Sequence, residues 1–334
     1  MRERSVVARL NVAERMSDVS TNRKWKPREL SPQTLDTVPG ADALLDCLRG
    51  LDLVALLSAD KALVLRDFAV TPAELDRVLD ALLPDRIAYV HGNSPRTKVG
   101  QNLYTSTEYP AELAISMHNE MSYAAQWPGR LAFYCEKAPE SGGATPVVDG
   151  ELWLELVGPQ VREAFSGGVR YVQNLHGGVG LGKSWEQTFE TADRARVEGL
   201  LAAAGASWEW RADGGLRVEQ VRPATTRHPL TGAEVWFNQA DQWHPVGLGD
   251  SASRALTRIM AAHDLPQSVT FANGEPIPDE YITRIGRLGL EAAVDVDWRP
   301  GDLLLIDNVL VGHGRRPFTG PRRILVAMSG TIGE

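Results

Sequence analysis

The sequence predicts a mainly β protein: an antiparallel β core of the jelly-roll kind with flanking helices packed outside it. Three observations predict this. Apolar runs of strand length gather between residues 115 and 149 and again at the C-terminus, as in "DLLLIDN" and "RRILVAMSG". The helical stretches lie before and between these runs and do not alternate with them one for one, which argues against a parallel α/β sheet. A hairpin is written out in "ASWEWRADGGLRVEQV", two strands of alternating polarity joined by Asp-Gly-Gly.

Taken in order, the first 32 residues carry eight Lys or Arg against four acids and lack the apolar segment of a secretory signal. They read as a mobile or loosely docked extension, residues 1–32, with a short amphipathic helix around Val6 to Met16. Residues 33–334 read as one domain, because no repeat or low-complexity linker divides them. "GADALLDCLRGLDLVALL" has apolar residues at helical spacing, "KALVLRDF" reads as a strand, and Thr71 is placed to cap a helix over "PAELDRVLDALLP". "RLAFYCEKA" is a strand, "SGGATPVVDG" a loop and short strand, and "ELWLELV" a helix. "TADRARVEGLLAAAG" is a helix with Thr191 or Asp193 at its start and Gly205 past its end. After the hairpin come a strand at "EVWFNQ", helices over Ser251 to His263 and Pro278 to Ala293, and the C-terminal strands.

The composition is that of an ordinary globular protein, 43% apolar and 23% charged. A formal charge of −8 argues against a nucleic-acid partner. No run of about 18 apolar residues exists, so no transmembrane helix is expected. Cys47 and Cys135 are too few for a disulfide framework and sit in apolar surroundings, which suits reduced thiols in a cytoplasmic protein.

The chemistry starts at "SMHNEMSY", where His118 and Glu120 stand two apart. In a strand, residues i and i+2 point to one face, so an imidazole and a carboxylate can enter one cavity. Two histidines and one carboxylate form the facial triad of non-haem Fe(II) sites, and His313 in "DNVLVGHGRRPF" is the candidate for the third ligand. Such a triad leaves three positions open on an octahedral metal, two for a chelating keto acid and one for O2. The remote carboxylate of the keto acid needs a buried cation, and an arginine fork suits it. "TGPRRIL" offers Arg322 and Arg323, of which strand alternation lets one face the cavity, and Thr145 is a candidate hydroxyl donor.

Four segments in this order, "HNE" at 118–120, "SGGAT" ending at Thr145, "HPLTGAEVWFNQ" at 228–239 and "DNVLVGHGRRPFTGPRRI" at 307–324, resemble the taurine dioxygenase (TauD/TfdA) family. The resemblance spans roughly residues 40–330 and is strongest to the branch of SyrP-like and clavaminate-synthase-like amino-acid hydroxylases. It implies a double-stranded β-helix, Fe(II) on His118, Glu120 and His313, and 2-oxoglutarate as cosubstrate with O2. Thr145 falls where the family's 2-oxoglutarate threonine follows the first ligand. The family's 2-oxoglutarate arginine falls on Arg322 when aligned by "HGRxxFxGxR" and on Arg323 when aligned by "RRI"; Arg322 is preferred. A Glu in place of the commoner Asp matches the hydroxylase branch and argues against a halogenase. The implied reaction decarboxylates 2-oxoglutarate to succinate and CO2 and hydroxylates an unactivated C–H of a small molecule. That substrate would be an amino acid, free or tethered to a carrier protein, in specialised-metabolite biosynthesis. Desaturation, epoxidation or cyclisation would begin from the same iron chemistry, and a metal-free binding module is the alternative of another class.

Each residue also has a plainer reading. His118 alone could be a satisfied polar residue, the two arginines surface charges on an edge strand, and Thr145 a turn residue after Gly-Gly. Asn238, Gln239 and His244 in "WFNQADQWH" stand equally for a substrate pocket and for ordinary core. His91, His176, His228 and His263 lack ligand spacing and read as structural or solvated, and "HGGVGLG" as a mobile loop near the mouth.

Overall fold

A computed structural model describes residues 25–88, 96–248, 260 and 264–333. Its centre is a seven-stranded sheet facing a four-stranded one. The large sheet runs Arg28–Leu30, Ala62–Leu65, Leu303–Asp307, Gln126–Lys137, Arg323–Gly333, Leu103–Thr105 and Lys98–Gly100, in that spatial order. The small sheet runs Val294–Val296, Thr145–Asp149, Val311–Arg315 and Ile115–His118. All pairings are antiparallel except that of Arg28–Leu30 with Leu63–Leu65. Two antiparallel sheets enclosing one core make the predicted jelly roll.

The large sheet is buried on both faces, which explains why "KALVL" and "DLLLI" are unbroken apolar runs. Leu63, Leu65, Ala132, Tyr134, Leu303, Leu305 and Leu325 point outward. Against them pack the predicted helices, resolved as Ala41–Arg49, Leu53–Asp60 and Leu75–Leu82. Their neighbours Val64, Leu131, Phe133, Leu304, Ile306 and Val326 point inward, toward the small sheet. The continuous helical pattern of residues 40–57 is broken at Gly50, and Asp52 caps the second helix by accepting from the Ala55 N–H at 3.0 Å. Thr71 does not cap the next helix directly. It bonds Glu74, and the helix begins at Leu75, because Thr71, Pro72 and Ala73 form a preceding turn.

The expected boundary at residue 32 falls inside the fold, since the Arg28–Leu30 strand is the edge of the large sheet. The candidate helix of residues 6–16 lies outside the described residues, as does that of 251–263 except for Met260.

An insertion between Asp149 and Val294 carries a second four-stranded sheet, Ser207–Trp210, Leu216–Arg222, Val169–Leu175 and Gln267–Phe271. The predicted hairpin is its edge. The helix Arg194–Ala203 is capped by Asp193 and not by Thr191, and Gly205 beyond it has φ +63°, the left-handed turn glycine tolerates. Helices Gly150–Ala164 and Asp279–Ala292 close the outer side of the small sheet, where Trp153 is fully buried with its indole N–H on the Ile285 carbonyl. No helix among the described residues is long and apolar enough to cross a membrane. Both cysteines are buried and free, and burial pushes the Cys135 thiol up to about 12.

Candidate metal centre and cosubstrate cavity

His118 and His313 are 195 residues apart in sequence and directly opposed in register across two antiparallel strands. Opposed residues share a face with Cβ atoms about 4.5–5.5 Å apart, and the two imidazole centroids are 4.4 Å apart. The ladder slips just beyond, where Arg315 pairs with Ile115, so the His118 strand carries an extra residue. Gly314 lies in this bulge. A Cβ there would sit 2.6 Å from the Ile115 carbonyl oxygen and 3.2 Å from Met117 Sδ, so only glycine lets the strands approach. Glu120 follows one turn of chain later. His118, Glu120 and His313 each offer a donor atom within 4.8 Å of the others, and all three are buried.

Backbone and amide bonds fix this cluster. The His118 Nδ1 sits 2.9 Å from the Ser116 carbonyl, which selects the Nδ1–H tautomer and leaves Nε2 with its lone pair. Asn308, fully buried, accepts from the Glu120 N–H at 2.8 Å and donates to the Glu120 and Pro128 carbonyls at 3.0 and 2.7 Å. Asn119 donates to the Asn308 and Val311 carbonyls at 2.6 and 3.2 Å, tying the ligand loop to the strand that carries His313. Glu120 also accepts one charge-assisted bond at Oε2 from Arg96, at 2.6 Å with both side chains buried. Burial holds the His118 imidazole below its ordinary pKa, and the Glu120 charge only partly offsets this. Burial, then the neighbouring His118 and Arg96, hold His313 well below it. Both rings are therefore neutral, the form in which they bind metals. The Nδ1 of His313 is buried with no hydrogen-bond partner among the described residues. Two neutral imidazoles and one carboxylate converging on a point fit an octahedral ferrous ion.

Beyond the cluster lies a narrow cavity reached by Thr145, Phe133, Arg96, Arg315 and Arg322. The motif "SGGAT" now has a physical reason. Gly142 and Gly143 both adopt left-handed φ, +67° and +69°, and turn the chain so that the Gly143 carbonyl accepts from Arg322 Nε at 3.0 Å. Thr145 Oγ1 accepts from the Trp298 indole at 3.0 Å, which leaves its own proton to donate. Burial, reinforced by the Arg315 charge, lowers Arg322 to about 10. Arg323 turns the other way, is about half exposed and pairs with Glu136. Alternation thus separates the two arginines as the sequence predicts, and the inward one is Arg322.

Asn238, Gln239 and His244 are not among the side chains bordering this cavity. Asn238 donates to the Ala224 carbonyl at 2.9 Å and accepts from the Ala240 N–H at 3.0 Å, closing a turn. Gln239 donates to the Asn119 carbonyl at 2.8 Å and so supports the ligand loop from behind. His244 faces Asp279, 3.9 Å away. His228, read as structural, bonds the buried Asp307 at 3.0 Å, while His91 and His263 lie outside the described residues.

Sequence reasoning missed Arg96, Arg315, Phe133 and Asn308. Arg315 anchors the carbonyls of Tyr109, Pro110 and Leu113, and Phe133 lies against His313 with ring centroids 5.2 Å apart. Asn308 and Arg315 were visible within "DNVLVGHGR" but had no spacing rule to mark them. Arg96 had no signal at all.

Comparison with known proteins agrees with this geometry. The chain is 35% identical over 275 residues to the dapdiamide synthesis protein DdaC of Enterobacter agglomerans, covering 82% of this chain and 83% of that protein. It is 33% identical over 286 residues to a clavaminate synthase-like protein of Arabidopsis thaliana, covering 83% of each. Among solved structures, PvcB of Pseudomonas aeruginosa superposes with a TM-score of 0.52 at 16% identity, over 91% of this chain and 86% of that one, a likeness of fold. The profile of the taurine catabolism dioxygenase TauD, TfdA family matches residues 28–328. The chain therefore belongs to the TauD/TfdA family of dioxygenases.

Proposed function

We propose that this protein is an Fe(II)- and 2-oxoglutarate-dependent dioxygenase that hydroxylates an unactivated C–H bond of an amino-acid-derived small molecule in specialised-metabolite biosynthesis. The observation that carries the reading is the buried His118–Glu120–His313 cluster, its two histidines directly opposed, opening on a cavity with an inward arginine. DdaC is by name a dapdiamide synthesis protein, and PvcB is described as an Fe, α-ketoglutarate-dependent oxygenase of an isonitrile synthetic pathway. Both names support a natural-product setting; an amino-acid-derived substrate, free or carried on a partner protein, rests on the motif resemblance to the amino-acid hydroxylase branch. Two buried free thiols suit a reducing cytoplasm.

His118, Glu120 and His313 would hold the iron, and Arg322 with Thr145 would hold the far carboxylate of 2-oxoglutarate. When bound, iron, 2-oxoglutarate and O2 together supply an oxidant able to cleave an unactivated C–H bond, with succinate and CO2 as by-products. The protein's own contributions are positional. The Ser116 carbonyl fixes the His118 tautomer, Asn308 fixes the Glu120 backbone, and Arg96 bonds Glu120 Oε2, orienting the carboxylate that would hold the metal. Phe133 lines the cavity against His313, and Trp298 orients the Thr145 hydroxyl from behind it.

The test is anaerobic titration of Fe(II) and 2-oxoglutarate, followed by succinate release on admitting O2. Stoichiometric binding and succinate formation are expected. Absence of both would favour a metal-free binding module, a reading the intact buried cluster already disfavours. Desaturation, epoxidation and cyclisation would release succinate too and are separated by product mass.

A further inference from the structure

Three guanidiniums border the cosubstrate cavity, and they differ in what they face. Arg322 stands at the Gly143 end, with Nε on that carbonyl and its guanidinium carbon 5.5 Å from the Phe318 ring centre. Arg315 donates to the Tyr109, Pro110 and Leu113 carbonyls. Arg96 stands at the ligand end. Its Nη2 is 2.6 Å from Glu120 Oε2, and the two side chains are only 3% and 4% exposed. Burial is the main reason both candidate-ligand imidazoles sit below their ordinary pKa, but the Arg96 charge adds to it at each. Arg96 is thus within electrostatic reach of all three candidate ligands.

The chain pins Arg96 from the next residue onward. The Thr97 N–H donates to Thr105 Oγ1 at 2.8 Å, and the Thr97 carbonyl accepts from the Thr105 N–H at 2.9 Å. The hydroxyls of Thr97 and Thr105 both donate to Glu108 Oε1, at 2.7 and 3.0 Å. The Ser106 N–H then donates to the carbonyl of Ile324, another residue bordering the cavity, at 2.8 Å. Arg96 therefore leads straight into the edge strand Lys98–Gly100 of the large sheet, and that edge holds it over the ligand end.

We propose that Arg96 binds the carboxylate next to the keto group of 2-oxoglutarate, the one released as CO2, while Arg322 and Thr145 take the far carboxylate. This rests on the oxygenase reading for the identity of the keto acid and on the cavity for the role of Arg96. A dicarboxylate carries an anion at each end, and the cavity carries a guanidinium at each end. Chelation uses one oxygen of the near carboxylate and leaves the other needing a donor in a buried place. A planar guanidinium has N–H groups on more than one edge, so it can bridge Glu120 and a second carboxylate. A metal ion on Glu120 also draws charge from it, which loosens its hold on Arg96 and favours the second partner.

The experiment titrates two keto acids by calorimetry onto full-length protein saturated with Mn(II). One is 2-oxoglutarate; the other is 2-oxopentanoate, which keeps the near carboxylate and lacks the far one. Arg96→Gln should weaken both by about tenfold or more, the effect of one charge-assisted hydrogen bond. Arg322→Gln should weaken 2-oxoglutarate alone. Titration of Mn(II) without keto acid reports separately on Glu120, and circular dichroism on folding. Arg96→Lys keeps the charge beside Glu120 and carries the test if the Gln variant does not fold; loss of the planar fork should weaken both keto acids about threefold or more. An unchanged 2-oxoglutarate Kd in the folded variant would overturn the proposal. So would a loss confined to Mn(II) affinity, which would make Arg96 a support for Glu120 only. Wild-type protein that takes up Mn(II) and neither keto acid would sink the oxygenase reading itself, whereas normal wild-type binding with indifferent Arg96 variants sinks only this assignment.

Discussion

Replacing Arg322 by Gln removes one charge from the cosubstrate cavity and keeps most of the side-chain volume. The guanidinium titrates near 10, where a solvated one stays charged beyond 12. At 1.36 kcal/mol per pH unit, its charge is carried at a cost on the order of 3 kcal/mol, because burial and the nearby Arg315 oppose it. A carboxylate arriving beside it relieves that cost. Losing this relief should weaken 2-oxoglutarate by about a hundredfold. Arg323→Gln is the internal control. Its pair with Glu136 is about half exposed, and exposed pairs contribute about 0–1 kcal/mol, so its effect on 2-oxoglutarate should be less than about fivefold. Arg322→Lys should fall between, since it restores charge without the planar fork. The assay is calorimetric titration of 2-oxoglutarate into Mn(II)-loaded protein, with circular dichroism to confirm folding. An unchanged Kd in Arg322→Gln, or a larger loss in Arg323→Gln, would refute the assignment.

Three further outcomes follow from the same geometry. His118→Ala and His313→Ala should each abolish Mn(II) binding by calorimetry and succinate formation, while thermal unfolding shows a folded protein. Asn308→Ala removes three buried hydrogen bonds and should lower stability by about 3 kcal/mol, read by urea unfolding, and weaken Mn(II) binding because the Glu120 backbone is released. Asp241 is buried with one carboxylate oxygen lacking a partner, and burial raises it to about 7. Its native pKa exceeds the unfolded one, so the native state keeps a proton the unfolded state releases, and this group lowers stability as pH rises from about 4 to about 7. Asp241→Asn should therefore stabilise the protein relative to wild type by up to about 4 kcal/mol at pH 8 and little at pH 4; an equal effect at both pH values would contradict this.

Much of the fold was legible because the signals were local. Capping by Asp193, the Asp-Gly-Gly turn and the apolar strand runs each act over a few residues, and the structure realises them. The candidate site was legible only in part. His118 and Glu120 share a local spacing, but nothing short-range pairs residue 118 with residue 313; that register depends on a bulge and on Gly314. The choice between Arg322 and Arg323 was open in sequence because alternation says that one faces inward without saying which. The register of the Arg323–Gly333 strand and the turn at Gly142–Gly143 decide it. Arg96 was invisible and Arg315 stood unmarked within "DNVLVGHGR", since arginine's usual place is the surface and only tertiary burial changes its meaning.

The order of strands has a consequence for biogenesis. The last segments of the chain are not added at the margins. Leu303–Asp307 slots between Ala62–Leu65 and Gln126–Lys137, Val311–Arg315 between Thr145–Asp149 and Ile115–His118, and Arg323–Gly333 between Gln126–Lys137 and Leu103–Thr105. A ribosome-bound chain stopped before residue 303 would have a gap at the middle of both sheets. It could neither close its barrel nor capture an ion. Assembly must await synthesis of the Leu303–Gly333 segments, and deletion of these strands should yield an insoluble product where a trimmed but working one would otherwise be expected.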